Sequence, residues 1–391
     1  MTGSRVVFAP HEPAHRAALR EPARIRRWRR RVERHGTLFR TITGSWVVTE
    51  PEIARTALSY KVTGLQSYGL LGPMAPELPL VRRALRRWAS EFEAAMSVEE
   101  FVRCLDDVVR ACRPGPVTVE AVVRGVVAFM VPELFGGSCS LLERASQEFV
   151  MSRLHAGDRS PLAAVRRRRA RDRMTAVVTA LQEGRLTARA DWRPLQGRLS
   201  GRQAIEDEIG ARPTDSVTHF LIGTLLASTG TPGTASAWAL AECDRDRGLL
   251  GPHLSDLQGT AAGEEAVARE LLRLRPPAWL EMRKVAEPTT LGSQRVGPHD
   301  RLIVPVLLVQ TNPSAWPDPY DCLPWRWSDA PTPVAYMPFG IGPRSCVGTG
   351  LGLRLVRAAA VYGAAHEIRV SDAPAKTDPL YAPPPFHVDE G

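Results

Sequence analysis

The ten residues Phe339-Gly340-Ile341-Gly342-Pro343-Arg344-Ser345-Cys346-Val347-Gly348 constrain this chain more than any other stretch. Gly340 and Gly342 let the backbone turn tightly and approach a flat ligand closely. The residues that follow are rich in Leu, Val and Ala, and their spacing predicts a helix over 347–363. Cys346 then falls just before a helix start, where free N–H groups and the helix dipole favour a negative sulfur. Arg344 is placed to pair with a carboxylate, and Phe339 to lie against the loop and exclude water. The competing reading is a buried, inert cysteine in a Gly-rich turn, the usual fate of a lone cysteine.

The other five cysteines, Cys104, Cys112, Cys139, Cys243 and Cys322, show no C-x-x-C spacing. A zinc knuckle or a redox pair is therefore not expected, and packing is role enough for them. Residues 1–23 carry no apolar core of a secretory signal, so disulfides are not expected either. No stretch approaches the roughly 20 apolar residues that span a bilayer. These features point to a cytoplasmic protein with no membrane partner. The net charge is +9, and only Lys61, Lys284 and Lys376 of the 51 basic residues are lysine, leaving 48 arginines (51 − 3). Two arginine runs, 24–34 and 166–173, lie on helix-like segments. Without a nucleic-acid-binding motif they read as solvated helix faces, and no nucleic-acid partner is expected.

Residues 36–48 read as a β-hairpin with a turn at Gly44-Ser45, and Pro51-Glu52 opens a helix to about Leu58. Residues 59–79 read as a loop. Helical spacing recurs over 81–92, 98–111 and 117–134, and the segment 140–190 reads as helix with basic faces. A long apolar helix over 217–241 contains Pro232, which removes a backbone donor and should kink it. A short helix over 264–275 ends at Pro276-Pro277. Residues 285–311 alternate as strands, and 312–345 read as an irregular packed loop. The sum is mainly α with a minor β part, one domain over 1–391.

Two further motifs accompany the cysteine loop. Glu270 and Arg273, at i and i+3, face one side of a helix. Alone, such a pair is a common surface bridge worth little. The third is Ala227-Ser228-Thr229-Gly230-Thr231-Pro232 in the apolar helix. Together, these three resemble the cytochrome P450 family. The string 339–348 meets every fixed position of that family's F-x-x-G-x-R-x-C-x-G signature, Glu270-Leu271-Leu272-Arg273 resembles its E-x-x-R motif, and the stretch around Thr231 resembles its A-G-x-[DE]-T segment. At that last stretch this chain departs, with Ser228 for the glycine and Gly230 for the acid.

The resemblance implies a single-domain P450-like fold and a haem b (iron protoporphyrin IX) cofactor. Cys346 would be the metal ligand, and Phe339, Gly340, Arg344 and Gly348 would border the cofactor. Arg344, Arg283 and Arg86 would meet the propionates. Glu270 and Arg273, joined by Arg326, would form a buried ion network that holds the loop. Thr231 would be the catalytic hydroxyl beside dioxygen. The implied activity is oxidation of a small organic molecule in bacterial specialised metabolism, with electrons from ferredoxin and ferredoxin reductase. Ring formation or radical coupling without oxygen insertion is the first alternative, and a haem-binding protein without turnover the second. Tyr68, Met74, Phe149, Met151, Trp279 and Met282 are candidates to line the substrate pocket, by analogy.

Overall fold

Four helices of this chain begin where a side-chain oxygen holds a free amide. Glu50 Oε2 accepts from Ile53 N (2.6 Å) ahead of the helix Pro51–Leu58, and Ser97 Oγ accepts from Glu100 N (3.1 Å) ahead of the helix Val98–Cys112. Ser160 and Thr260 do the same for the helices Pro161–Gln182 and Ala261–Leu274, at 3.2 and 3.1 Å. Pro51 and Pro161 take the first helical position, where a missing N–H costs nothing.

The computed structural model describes residues 21–59, 79–135, 137–186 and 216–389, except 256, 258, 259, 286, 299, 329–331, 343, 344 and 379. Eleven α-helices are seen in these residues: α1 (Ala23–His35), α2 (Pro51–Leu58), α3 (Pro79–Ala95), α4 (Val98–Cys112), α5 (Val119–Phe135), α6 (Ser140–Leu154), α7 (Pro161–Gln182), α8 (Ser216–Ala241), α9 (Ala261–Leu274), α10 (Val306–Gln310) and α11 (Thr349–Ala364). A four-stranded sheet has the order β1 (Leu38–Arg40), β2 (Trp46–Val48), β6 (Arg301–Val304), β3 (Glu281–Lys284). β2 and β6 run parallel, with Trp46 opposite Leu302, and the other two pairings are antiparallel. β4 (Thr289–Leu291) pairs with β5 (Gln294–Val296), and β7 (Glu367–Val370) with β8 (Phe386–Asp389). The architecture is mainly helical with small sheets, as expected.

Several boundaries differ from the sequence reading. The segment 140–190 is two helices, α6 and α7, joined by a turn at 155–160. Residues 306–310, expected as strand, form α10, because Pro305 ends β6 and leaves an apolar run with no partner strand. The β7–β8 pair was not anticipated. The loop expected over 59–79, which includes Tyr68 and Met74, lies almost wholly outside the described residues.

Helix α8 is the axis of the helical layer and packs on α5, α11, α7 and α6. It continues through Pro232 as one α-helix. Its crossing with α5 is close: a Cβ on Gly233 would lie 2.8 Å from Val123 Cγ2 and 2.9 Å from its Cα. That contact fixes which face of α8 is packed. Among the described residues no helix is long and apolar enough to cross a membrane.

The C-terminal end of α8 is tied to the end of α9 by a buried ion pair. Arg275 Nε donates to Glu242 Oε1 (2.8 Å), and Leu249 N donates to Glu242 Oε2 (2.8 Å). The guanidinium stacks over the Trp238 ring at 4.8 Å. Burial opposes the charge of Arg275, yet Glu242 together with Tyr381 and Glu21 holds the pKa above the ordinary arginine value. Glu242→Ala would strand that cation in the core. It is expected to lower unfolding stability by about 3–5 kcal/mol, seen as a lower denaturant midpoint. A loss below about 1 kcal/mol, the range of an exposed pair, would show the link to be dispensable.

Candidate active site

The cysteine loop is held by its own backbone. Gly340 and Gly342 both take left-handed conformations, with φ of 68° and 71°. These reversals let Gly340 N reach Met337 O (3.0 Å) and Ser345 N reach Gly342 O (2.9 Å). Cys346 N donates to Phe339 O at 2.7 Å, and Thr349 Oγ1 donates to Cys346 O at 3.0 Å. The main chain of Cys346 is thus pinned on both sides while the residue itself is exposed. α11 starts three residues later, capped by Gly348. The Phe339 ring folds onto the first turn of that helix, with its Cε1 3.1 Å from where a Cβ on Gly352 would lie. Nothing lies within 4 Å of where a Cβ on Gly348 would be. Arg344 is outside the described residues. By contrast, burial pushes the Cys104 thiol up to about 11 and raises that of Cys243 further, which suits packing rather than ligation.

Behind the loop lies a buried polar cluster. Glu270 and Arg273 are both fully buried and paired. All five guanidinium donors of Arg273 are used. Nε and Nη2 donate to Glu270 Oε2 (2.9 Å) and Oε1 (2.7 Å). Nη1 donates to the carbonyls of Gln310 (3.0 Å) and Pro319 (2.6 Å), and Nη2 also to that of Asp321 (2.9 Å). Glu270 in turn accepts from Leu323 N (3.0 Å) and Trp327 Nε1 (3.1 Å). Arg326 stands beside the pair. Its Nε stands 3.4 Å from Glu270 Oε1, an ion-pair contact without hydrogen-bond geometry. Its Nη2 donates to Asp318 O (2.8 Å), a residue held in the left-handed region at φ 46°.

Gln310 is the member that sequence reasoning missed. Its Nε2 donates to the carbonyls of Leu272 (3.2 Å) and Arg273 (2.9 Å), and its Oε1 accepts from Met337 N (2.8 Å). Because Met337 O accepts from Gly340 N, this one side chain joins the end of α9 to the start of the cysteine loop. A signal was present: Gln310-Thr311-Asn312 is a polar triplet directly after the apolar run 306–309, and all three are buried.

On α8, the face turned away from α5 is the open one. Ala227 is exposed, and Gly223, Ser228 and Thr231 are half-buried, a stripe at helical spacing with Thr231 at its C-terminal end. Gly233 points the other way and is buried, and Thr234, one turn on from Thr231, is buried too. The Ser228 hydroxyl donates to Leu225 O (3.2 Å), while the Thr231 hydroxyl has no partner among the described residues. Gly230 has no side chain to offer, and its carbonyl accepts from Thr234 Oγ1 (2.8 Å).

The residues present fit a flat, anionic cofactor ligated by sulfur. Arg283 on β3 is buried, reaches Glu281 Oε2 (2.8 Å) and Met282 O (2.9 Å), and keeps a buried Nε with no partner among the described residues. That orphaned donor suits a propionate. Arg86 on α3 is exposed with no ion-pair partner among the described residues. Of the pocket candidates, Phe149, Met151 and Trp279 are core residues. Trp279 also donates from Nε1 to Thr377 O (3.1 Å). Met282 is exposed.

Comparison with known proteins agrees. Residues 264–358 match the family model for cytochrome P450. Over that stretch the chain is similar to the cytochrome P450 family. Cyclooctatin synthase of Streptomyces melanosporofaciens is 32% identical over 169 residues, 38% of this chain and 37% of that protein. Germacrene A hydroxylase of Lactuca sativa is 29% identical over 163 residues, 37% of this chain and 33% of that one. The match therefore spans about a third of the length of these curated P450s. A zebra fish cytochrome P450 structure with progesterone superposes with a TM-score of 0.73 at 16% identity, covering 95% of this chain and 100% of that one. A mutant of P450 EryK with erythromycin B gives 0.67 at 18% identity, covering 95% and 97%.

Gln310→Leu keeps the size of the side chain but removes every hydrogen bond between α9 and Met337 that it supplies. The expected cost is about 1–3 kcal/mol for the buried groups left unpaired. Amide exchange at Met337 and Gly340 should quicken while α9 stays protected. Unchanged exchange at those two amides would show that the loop is held without Gln310.

Proposed function

We propose that this P450 is a haem-thiolate monooxygenase that oxidises a small organic molecule, with Cys346 as the axial ligand of haem b. The observation that carries the reading is the presentation of Cys346: its main chain is pinned to Phe339 and Thr349, and the residue is exposed at the foot of α11. Phe339, Gly340 and Gly348 border the cofactor, and Arg283, with Arg344 and Arg86, meets its propionates. A thiolate-ligated haem, when bound, supplies dioxygen activation, because the sulfur pushes electron density towards cleavage of the O–O bond. The rest is the work of the protein's residues.

Those residues divide into two tasks. Glu270, Arg273, Arg326 and Gln310 keep the cysteine loop in one conformation. Thr231, at the C-terminal end of the open stripe on α8, holds a proton at Oγ1 for delivery beside the oxygen site. The hydroxyl is free for that role, since it has no partner among the described residues. With Gly230 in the acid's place, water or a polar group of the substrate must resupply it. This favours a second reading, coupling or ring formation without oxygen insertion, which needs fewer delivered protons. Hydroxylation is the leading reading, and the relative named for hydroxylating germacrene A supports it. Electrons would come from a ferredoxin and its reductase, in bacterial specialised metabolism and in the cytoplasm.

Two substitutions test the assignment. The reduced carbonyl complex of the parent should show the red-shifted Soret band of a thiolate ligand, and Cys346→Ser should abolish it. Retention of the band in the variant would remove Cys346 from the ligand position. Thr231→Ala should leave that band in place but release more hydrogen peroxide and form less product per NADPH. Losing one positioned proton donor costs typically 10²–10⁴-fold in rate. Unchanged coupling of NADPH to product would take Thr231 out of the mechanism.

A further inference from the structure

Helix α11 starts beside Cys346 without help from its own sequence. Its N-cap is Gly348, which makes no side-chain cap bond, and its first turn holds no acidic residue. By contrast, α2, α4, α7 and α9 are each capped by a side-chain oxygen of the residue before them. The free amides and the positive end of the dipole are left at the end of α11 that follows the cysteine loop.

The missing acid comes from α3. A Cβ on Gly350, the second residue of α11, would lie 2.6 Å from both Cδ and Oε1 of Glu93, and closer still to Oε2. The carboxylate therefore lies against the Cα of Gly350, in space that an alanine methyl would fill. The main chain around Glu93 is held there as well. Arg354, one turn further along α11, donates from Nη1 to Glu93 O (2.6 Å) and from Nη2 to Met96 O (3.0 Å). That grip satisfies carbonyls at the end of α3 and sets it across the first two turns of α11. Glu93 is half-buried, and its carboxylate has no hydrogen-bond or ion-pair partner among the described residues.

Gly350 is four residues beyond Cys346, about one helical turn. A carboxylate at this place stabilises the start of α11 through the dipole. It also opposes any further negative charge that gathers at the sulfur and at the metal the sulfur binds. We propose that Glu93 tunes the haem bound at Cys346, holding its one-electron reduction potential down from the first turn of α11, where Gly350 leaves room for it. The proposal rests on Cys346 being the axial ligand. Reduction of the ferric iron by one electron adds one negative charge to the iron–sulfur unit, and Glu93 makes that charge costlier. Glu93 is a positioning residue: it acts through α11 and takes no part in bond making. An acid that merely pinned α3 to α11 would leave the potential where it is.

The test is a dithionite titration of the haem-loaded full chain, followed by absorption, in the parent and four variants. Glu93→Gln keeps the shape and removes the charge. It should favour the reduced form about ten-fold, a rise of about 59 mV for one electron. Gly350→Ala pushes away the far end of a flexible side chain and should move the potential the same way by less, about three-fold. The variant carrying both changes should match Glu93→Gln alone, because the methyl group then has no charge to displace. Glu91→Gln, at an exposed position of α3, removes the same charge two residues away and should change the equilibrium by less than about two-fold. Each form should keep the thiolate band of the reduced carbonyl complex. A Glu93→Gln potential equal to that of the parent overturns the proposal. So does a Glu91→Gln shift of the same size, or additive shifts in the variant with both changes. If Glu93→Gln fails to hold haem, Gly350→Ala decides, and an unmoved potential there overturns the proposal. A parent without the thiolate band overturns the assignment of Cys346 and this proposal with it. A parent with the band, and a potential that Glu93 does not move, overturns this proposal alone.

Discussion

The Glu270–Arg273 pair is the point from which the cysteine-loop side of this molecule is built. Its charges are fully buried, and two isolated charges there would be expensive. The cost is met by spending every donor and acceptor. The guanidinium serves one carboxylate and three carbonyls, and the carboxylate adds a backbone amide and an indole N–H. Lysine could not replace Arg273, because its three donors lack the planar fork that reaches Gln310, Pro319 and Asp321 together with Glu270. The carbonyls it binds belong to the irregular stretch 310–321, which has few ladder bonds of its own. A segment of that kind keeps one shape only if its main-chain groups find fixed partners. Arg273 and Gln310 provide them, and the cysteine loop inherits the result.

The opposite face of the site is set by exclusion rather than by bonding. Gly233 lets α8 approach Val123 of α5 so closely that any side chain would clash. Once that face is pressed into the core, rotation of the helix is settled, and the residues a half-turn away are the ones left open. Thr231 owes its position to Gly233, two residues on, as much as to its own chemistry. A slip of one residue along the helix would turn Thr231 by about 100° and bury it. Thr234, one turn on in the same helix, is not a rival: its hydroxyl is buried and donates to Gly230 O.

Much of this was legible in the sequence because it is local. The cysteine string, the i, i+3 pair and the Pro-Pro break carry their geometry in their spacing, and Arg326 lies where the motif requires it. The helices α3, α4 and α5 were found to within a few residues because their apolar periodicity is strong. What was not legible is non-local. Gln310 acts through carbonyls 37 and 38 residues away and an amide 27 residues away. No pattern in its neighbourhood encodes that, beyond the oddity of three polar residues after an apolar run. α10 was read as strand because Val306-Leu307-Leu308-Val309 has strand-like composition. A short apolar run cannot be assigned by periodicity, and here tertiary packing decided. Phe149, Met151 and Trp279 were taken for pocket because aromatic and sulfur side chains suit apolar ligands, but they suit a core equally well.

The arginine runs show the same limit from the other side. Read separately, 24–34 and 166–173 are each an ordinary solvated helix face, and that reading is right for most of their residues. Arg29 is an exception of one kind. It faces inward, donates to Glu21 Oε1 (2.7 Å) and Tyr320 Oη (2.6 Å), and fastens α1 to the stretch before the cysteine loop. A single arginine turned inward fixes the rotation of the helix, and that rotation aims Arg27, Arg30, Arg31 and Arg34 outward together. Their alignment is thus a consequence of the buried network, not of the run itself. Charge in a sequence acquires meaning only when packing decides which way each residue points, and on α1 a buried Arg29 decides it for its neighbours.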